Sequence, residues 1–402
     1  MANIKTKAIN HSERAHALLS ASGASRWLGC TPSARLEEEF GVDKPSPYAA
    51  EGTLAHELSE LIIRHDILKT VSDEQFEEAA IKVFENELYQ PEMIDYAQFY
   101  VDYVRDELES SKIGTADAIL IIEERVDLRS WVPESFGSCD AIIIADGVMK
   151  VMDLKYGKGV PVSATGNKQL MLYALGAYEK YAIMYAIDTV ELHIIQPRID
   201  NISSWSVDVK ELLDWAENEV RVKAQMAFDG KGELKAGDWC KFCKVKARCR
   251  ELYKQNIELA KYDFAKPENG LLSPEEIADI IDRVPLLVEW ANSVIEYATD
   301  QAIGNGVVWP GHKLVAGRST RKFTDSEAVA QVLLDNDFTA DEIFESKLKS
   351  LTSIEKMVGK KDFEAIFKDL IVKAKGKPVL VPLSDRRPAL GAEDAINDFN
   401  KN

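Results

Sequence analysis

The sequence predicts an α/β protein whose core runs α-β-β-β-α-β around a mixed sheet, followed by a mainly helical C-terminal region. Three observations predict it. From Ala118 the chain turns to β-branched runs: AILIIEERVDL, then AIIIA and VMKVMDL, then TVELHIIQPRI over 189–199. Asp146-Gly147 separates the second and third runs, and a type I′ turn there makes a hairpin that sets Asp140 opposite Asp153. Residues 167–181 are helical in pattern and join the third run to the fourth, so those two strands are predicted to be parallel.

The chain has 402 residues, 46% hydrophobic and 29% charged, ordinary for a globular protein of two or three domains. No stretch approaches the ~20 apolar residues of a membrane span, and no basic-then-apolar leader opens it. The expectation is a cytoplasmic protein with no membrane partner. A formal net charge of −18 excludes non-specific coating of nucleic acid but leaves room for a local basic cleft. Lys241, Lys244, Lys246, Arg248, Arg250 and Lys254 form one basic run, and Arg318, Arg321 and Lys322 a second. Phosphate contacts are expected from Lys246, Arg248, Arg318 and Arg321.

In chain order, residues 1–19 are polar and loose. Serines over 20–25 cap a short helix that carries Trp27 and Leu28 inward and ends at Cys30. Gly52-Thr53 starts the next helix, with Thr53 as N-cap and Leu54, Leu58, Leu61 and Ile62 as its buried stripe. His56 and Glu60 lie four apart on a neighbouring face. Residues 73–112 read as an acidic helical insert covering the core. Gln169 and Tyr173 share a face of the crossover helix, where an amide and a phenol can donate to phosphate or a base. Ser273-Pro274-Glu275-Glu276 opens a helix with a capping box, running toward Gly304 with an interruption at Pro285. GHKLVAGRSTRKF suggests a short hairpin, followed by two or three amphipathic helices to about 375 and an extended tail. No catalytic constellation stands out there.

Two groups of residues carry chemistry. Pleating puts Asp140, Asp153 and Lys155 on one face of the hairpin. Facing carboxylates repel and are costly to bury, and a hard divalent cation relieves both problems. Lys155 beside it can hold a metal-bound water or a phosphate. The second group is Cys240, Cys243 and Cys249, spaced C-x₂-C-x₅-C. Three clustered thiolates in a cytosolic chain argue for metal rather than disulfides. Of the two other cysteines, Cys139 is expected to pack on the side of the sheet away from Asp140, so Cys30 is the better fourth ligand. Zinc and an iron–sulfur cluster both suit four thiolates.

G-x-x-D (137–140), D-x-K (153–155) and Q-x-x-x-Y (169–173) together resemble the PD-(D/E)XK nuclease superfamily, and most closely its RecB-like exonucleases. Met152 stands where the superfamily name has proline. G-T-x-x-H (52–56) resembles the histidine motif of that branch, which implies that His56 helps bind metal, with Glu60 as a weaker ligand. One upstream cysteine plus C-x₂-C-x₅-C is similar to the iron–sulfur nuclease domain of AddB and of CRISPR-associated four-cysteine exonucleases. That implies a 4Fe-4S cluster on Cys30, Cys240, Cys243 and Cys249, with zinc the alternative. The whole layout resembles a phage and prophage family with no assigned activity.

The resemblance implies a restriction-endonuclease-like core in a nuclease domain over 20–255, and a separate region over 256–402. It implies a Mg²⁺- or Mn²⁺-dependent DNA exonuclease working with phage recombination or replication proteins. Asp140 and Asp153 would hold the metal. Lys155 would position or activate water, and Gln169 and Tyr173 would orient the strand. The alternatives are an inactive, cluster-stapled DNA-binding scaffold and an iron–sulfur redox protein.

Overall fold

A computed structural model describes residues 17–39, 47–159, 161–264 and 273–313. The expected loose residues 1–16, the hairpin and helices after 313, the extended tail, and Arg318, Arg321 and Lys322 lie outside the described residues. The chain divides into two compact units, Met1–Leu314 and Val315–Asn402.

The first unit is α/β. Its sheet has five strands in the order β1 (Ile119–Asp127), β2 (Phe136–Ala145), β3 (Gly147–Leu154), β4 (Ile187–Gln196) and β5 (Asn201–Asp208). Neighbours are antiparallel except β3 and β4, which are parallel. The parallel pair is joined by α6 (Lys168–Tyr181), whose N-cap Asn167 accepts from the Gln169 and Leu170 N–H groups.

The hairpin register is the expected one, Ala145 against Val148 through Ala141 against Met152. Its turn differs. Only Gly147 has a left-handed φ, +74°, the sign pattern of a type II rather than a type I′ turn. The reason is tertiary. The Asp146 N–H donates to Thr115 Oγ1 at 3.0 Å and the Gly147 N–H to Ala186 O at 3.0 Å. Both amides are thereby satisfied from outside the turn.

The fifth strand is an addition to the four expected. A 3₁₀ turn at Pro197–Ile199 ends with Asp200 at φ +52°, which reverses the chain so that Ser203, Trp205 and Val207 pair back along β4. A helix follows: α7 (Val209–Trp215), a π turn and α8 (Arg221–Phe228).

Two apolar layers sandwich the sheet. One lies toward α6 and α1 (Ala24–Gly29) and contains Trp27, Cys139, Ile142, Val151 and Leu192. The other lies toward α3 (Pro47–Asp66) and α5 (Met93–Gly114) and contains Leu58, Val101, Ala141, Ile143 and Met152. Cys139 and Ala141 are two apart on β2 yet belong to opposite layers, so the strand's alternation breaks at Asp140. The same break occurs in β1, where Ile122 and Val126 fall in different layers on either side of Glu123, whose φ is +48°.

Helix α3 begins at Pro47, before the expected start. Thr53 is therefore inside it and bonds back to Ala49 O at 3.1 Å instead of capping. Helix α2 (Ser33–Glu38) follows Cys30, α4 (Asp73–Phe84) and α5 fill the acidic insert, and α9 (Arg250–Phe264) follows Cys249. Helix α10 (Pro274–Asn305) has the expected capping box but is not interrupted at Pro285. The proline frees the Ile281 carbonyl, and because both residues are exposed, water can take its place.

Candidate functional site

The strand breaks gather charge at one level of the sheet. The β1–β2 register, with Ile122 against Ala141 and Glu124 against Cys139, puts Glu123 opposite Asp140. The hairpin register continues to put Asp140 opposite Asp153. Three carboxylates from three adjacent strands thus fall in a row. His56 of α3 closes on them, with Nδ1 3.4 Å from Asp140 Oδ1, and ligand atoms of His56, Glu123 and Asp140 lie within 4.8 Å of one another.

Asp140 is held by backbone, since Oδ2 accepts the Leu154 N–H at 2.7 Å. Asp153 is only 3% exposed. Lys155 Nζ stands 2.8 Å from its Oδ2, at an angle that still leaves this buried oxygen without a well-directed hydrogen bond. From α6, Gln169 Oε1 accepts from Lys155 Nζ at 3.1 Å, and Gln169 Nε2 donates to Tyr173 Oη at 2.9 Å. Gln169 Nε2 also points at Asp153 Oδ1 across a longer 3.5 Å. The sheet thus gathers Asp140, Asp153, Lys155, Gln169, Tyr173 and His56.

Glu60 stands apart: its carboxylate accepts from Arg64 Nε at 2.7 Å. Glu123 occupies the place next to His56. A second residue not foreseen is Tyr100 of α5, fully buried with an unpartnered hydroxyl in the field of Asp140, Asp153 and Glu123.

Protonation follows from this crowding. Burial, with repulsion from Asp140 and Glu60, pushes Glu123 up to about 7. Burial alone would lower His56, but the charge and hydrogen bond of Asp140 raise it to about 9. Burial raises Asp153 despite the counteracting Lys155. Burial opposes the charge on Lys155, yet Asp153 outweighs it and keeps the ammonium protonated. The proton on His56 and the Lys155 ammonium together balance the charge of the row.

Cys30, Cys240, Cys243 and Cys249 line one enclosed cavity of about 10 Å³, together with Arg26, Lys235 and Lys246. The Lys235 N–H donates to Cys30 Sγ at 3.5 Å. Buried Glu37 ties the segment before the sheet to the segment after it, accepting the Lys244 N–H at 2.9 Å and pairing with Arg26 at 2.6 Å. Trp239 wedges between Gly29 and Gly237, where an added Cβ would come within 2.7 Å of the indole. Cys139 is elsewhere, fully buried in the α6-side layer.

Of the basic run around these cysteines, Lys246 packs on α10, while Lys244, Arg248 and Arg250 are exposed. Lys246 Nζ pairs with Glu289 of α10 at 2.7 Å and donates to Lys241 O at 2.6 Å. The Arg248 guanidinium lies 6.0 Å from the centre of the Tyr297 ring of the same helix. Among the described residues no helix is long and apolar enough to cross a membrane.

A family model described as "Protein of unknown function (DUF2800)" matches residues 16–388. The chain belongs to this DUF2800 family. A solved protein, SSO0001, is 19% identical over 55% of this chain and 95% of its own, with a TM-score of 0.21. A likeness at that score transfers neither fold nor activity.

Proposed function

We propose that this DUF2800 chain is a metal-dependent DNA exonuclease with a restriction-endonuclease-like core. The observation that carries the reading is the meeting of Asp140, Asp153 and Lys155 at one break in the sheet, with Gln169 and Tyr173 facing them. The donor set, carboxylate oxygens and one imidazole, suits Mg²⁺ or Mn²⁺. The buried Tyr100 Oη fits the same reading, since it lacks the hydrogen-bond partner that a water on the ion would provide. A bound divalent ion would polarise a phosphoryl oxygen and lower the pKa of a water.

The remaining roles belong to the chain itself. Asp140, Asp153 and His56 hold the ion, with Glu123 beside them. Lys155 stays an ammonium, so it stabilises charge on the phosphate and positions water rather than acting as a base. Gln169 fixes the Lys155 ammonium, and the neutral Tyr173 hydroxyl, having accepted from Gln169, keeps its proton to donate to a phosphate. The four cysteines hold a 4Fe-4S cluster, or zinc in its place. The sequence resemblance points to work beside phage recombination or replication proteins.

End-labelled linear DNA and covalently closed DNA, each incubated with Mg²⁺, Mn²⁺ or EDTA, test the proposal. Metal-dependent loss of the linear substrate alone is expected. Asp153→Ala and Lys155→Ala should abolish that loss while the protein stays folded. Wild-type rates in both variants would sink the assignment.

A further inference from the structure

The face of the sheet that packs on α5 carries a second polar cluster. Glu191 and His193 come from β4, and Lys150 of β3 sits opposite Glu191. Tyr103 and Glu107 come from α5. Ligand atoms of Glu107, Glu191 and His193 lie within 4.8 Å of one another. His193 is only 4% exposed, so these groups need partners.

The Tyr103 hydroxyl is 2.8 Å from His193 Nδ1. On the other side of the ring, Nε2 is buried, makes no hydrogen bond and lies 3.7 Å from Glu191 Oε2. With Nδ1 donating to the Tyr103 oxygen, Nε2 turns its lone pair toward the two carboxylates, an arrangement that a cation between them stabilises. Lys150 meets only part of that need, at 2.7 Å from Glu107 and 3.8 Å from Glu191, and makes no hydrogen bond with Nε2.

We propose that Glu107, Glu191 and His193 form a second divalent-cation site, in which Tyr103 fixes the imidazole tautomer and Lys150 competes with the ion for the carboxylates. One imidazole and two carboxylates suit Mn²⁺, Fe²⁺ or Zn²⁺. A hydrogen-bonded partner on the far ring nitrogen is the usual support of a histidine ligand. The ion would tie α5 to the centre of the sheet.

Mn²⁺ is the probe, because a hard ion avoids the cysteines. Asp140→Asn with Asp153→Asn silences the row at the sheet break, and electron paramagnetic resonance counts bound Mn²⁺ on the full chain in that background. One strongly bound ion per chain is expected to remain. Glu191→Gln, His193→Gln and Tyr103→Phe should each weaken it by about tenfold or more. Lys150→Met should tighten it by about tenfold, because a competing charge is gone. Circular dichroism checks each variant, and a gain of affinity in Lys150→Met cannot come from misfolding. Absence of bound Mn²⁺ in the background protein, binding indifferent to His193→Gln, or no tightening in Lys150→Met would each overturn the site.

Discussion

Glu123 and His56 make the acidic row pH-sensitive in a direction that can be worked out. In the folded, metal-free chain Glu123 titrates near 7 and His56 near 9, both above their ordinary values. The folded state therefore holds more protons than the unfolded one from about pH 4.5 to about pH 9, and stability falls across that window as pH rises. A metal must displace the same protons, so its affinity should rise between about pH 7 and pH 9. Melting curves in EDTA and in Mn²⁺ should diverge as pH increases, and parallel curves would remove Glu123 and His56 from the metal site. Gly137 is a second point of leverage. A Cβ there would lie 2.6 Å from the Tyr173 ring, so Gly137→Ala should cost about 1–3 kcal/mol of stability in denaturant titration. Tyr173→Ala in the same chain should recover most of that loss if the clash is the cause. Asp140, Asp153 and Lys155 were legible in the sequence because a two-residue connection fixes the hairpin register. Glu123 was not. The β1–β2 connection spans 128–135, and no turn chemistry in it sets which β1 residue faces Asp140. Nothing in the acidic helical insert marked out Tyr100, since an unpartnered hydroxyl has no sequence signature.

Elements were legible where local chemistry decides them and less so where packing does. The α6 crossover and the parallel β3–β4 pair follow from a helical pattern between two apolar runs. Strand β5 follows from nothing as strong. NISSWSVD alternates, but its Ile202 is 40% exposed, and the left-handed Asp200 that reverses the chain is not a glycine. Thr53 was misread because Gly52 looked like a break, whereas it meets open space and the helix runs straight through it. Lys246 and Arg248 read as phosphate contacts, and in the structure Lys246 pairs with Glu289 of α10 while Arg248 stays exposed beside Tyr297. Lys246→Glu should therefore loosen α10, seen as faster amide exchange over 286–300, and Glu289→Lys should restore protection. The global cost should be about 1 kcal/mol or less, because both side chains are partly exposed. If the salt dependence of DNA binding also drops by about one unit of slope, Lys246 contacts phosphate after all.

Across the molecule, a cluster on the four cysteines would do what no single element can. Cys30 precedes all five strands, and Cys240, Cys243 and Cys249 follow them, so a bound cluster would close a loop of roughly 210 residues around the sheet. Closing such a loop in the unfolded chain would stabilise the fold by on the order of 5 kcal/mol, by analogy with a disulfide. Ligation adds to this, because the site exists only once the two ends have met. Without metal the arrangement is poor. Burial raises the thiols of Cys30, Cys240 and Cys243, the last to about 12, so they are neutral, and the cavity between them rests on packing, the Lys235–Cys30 hydrogen bond and the Glu37 contacts. Arg26, whose charge works against the rise at Cys243, is placed to offset part of the negative charge that four thiolates would bring. Protein purified without oxygen should be brown and carry about four irons per chain. Cys30→Ala should lose iron and solubility together, although Cys30 lies some two hundred residues from the others. Cys139→Ala should keep its iron, because that thiol is packed in the α6-side layer. Stoichiometric zinc without iron would replace the cluster with a zinc site. Iron lost from the Cys139 variant and kept by the Cys30 variant would mean that the staple does not join the two ends of the domain.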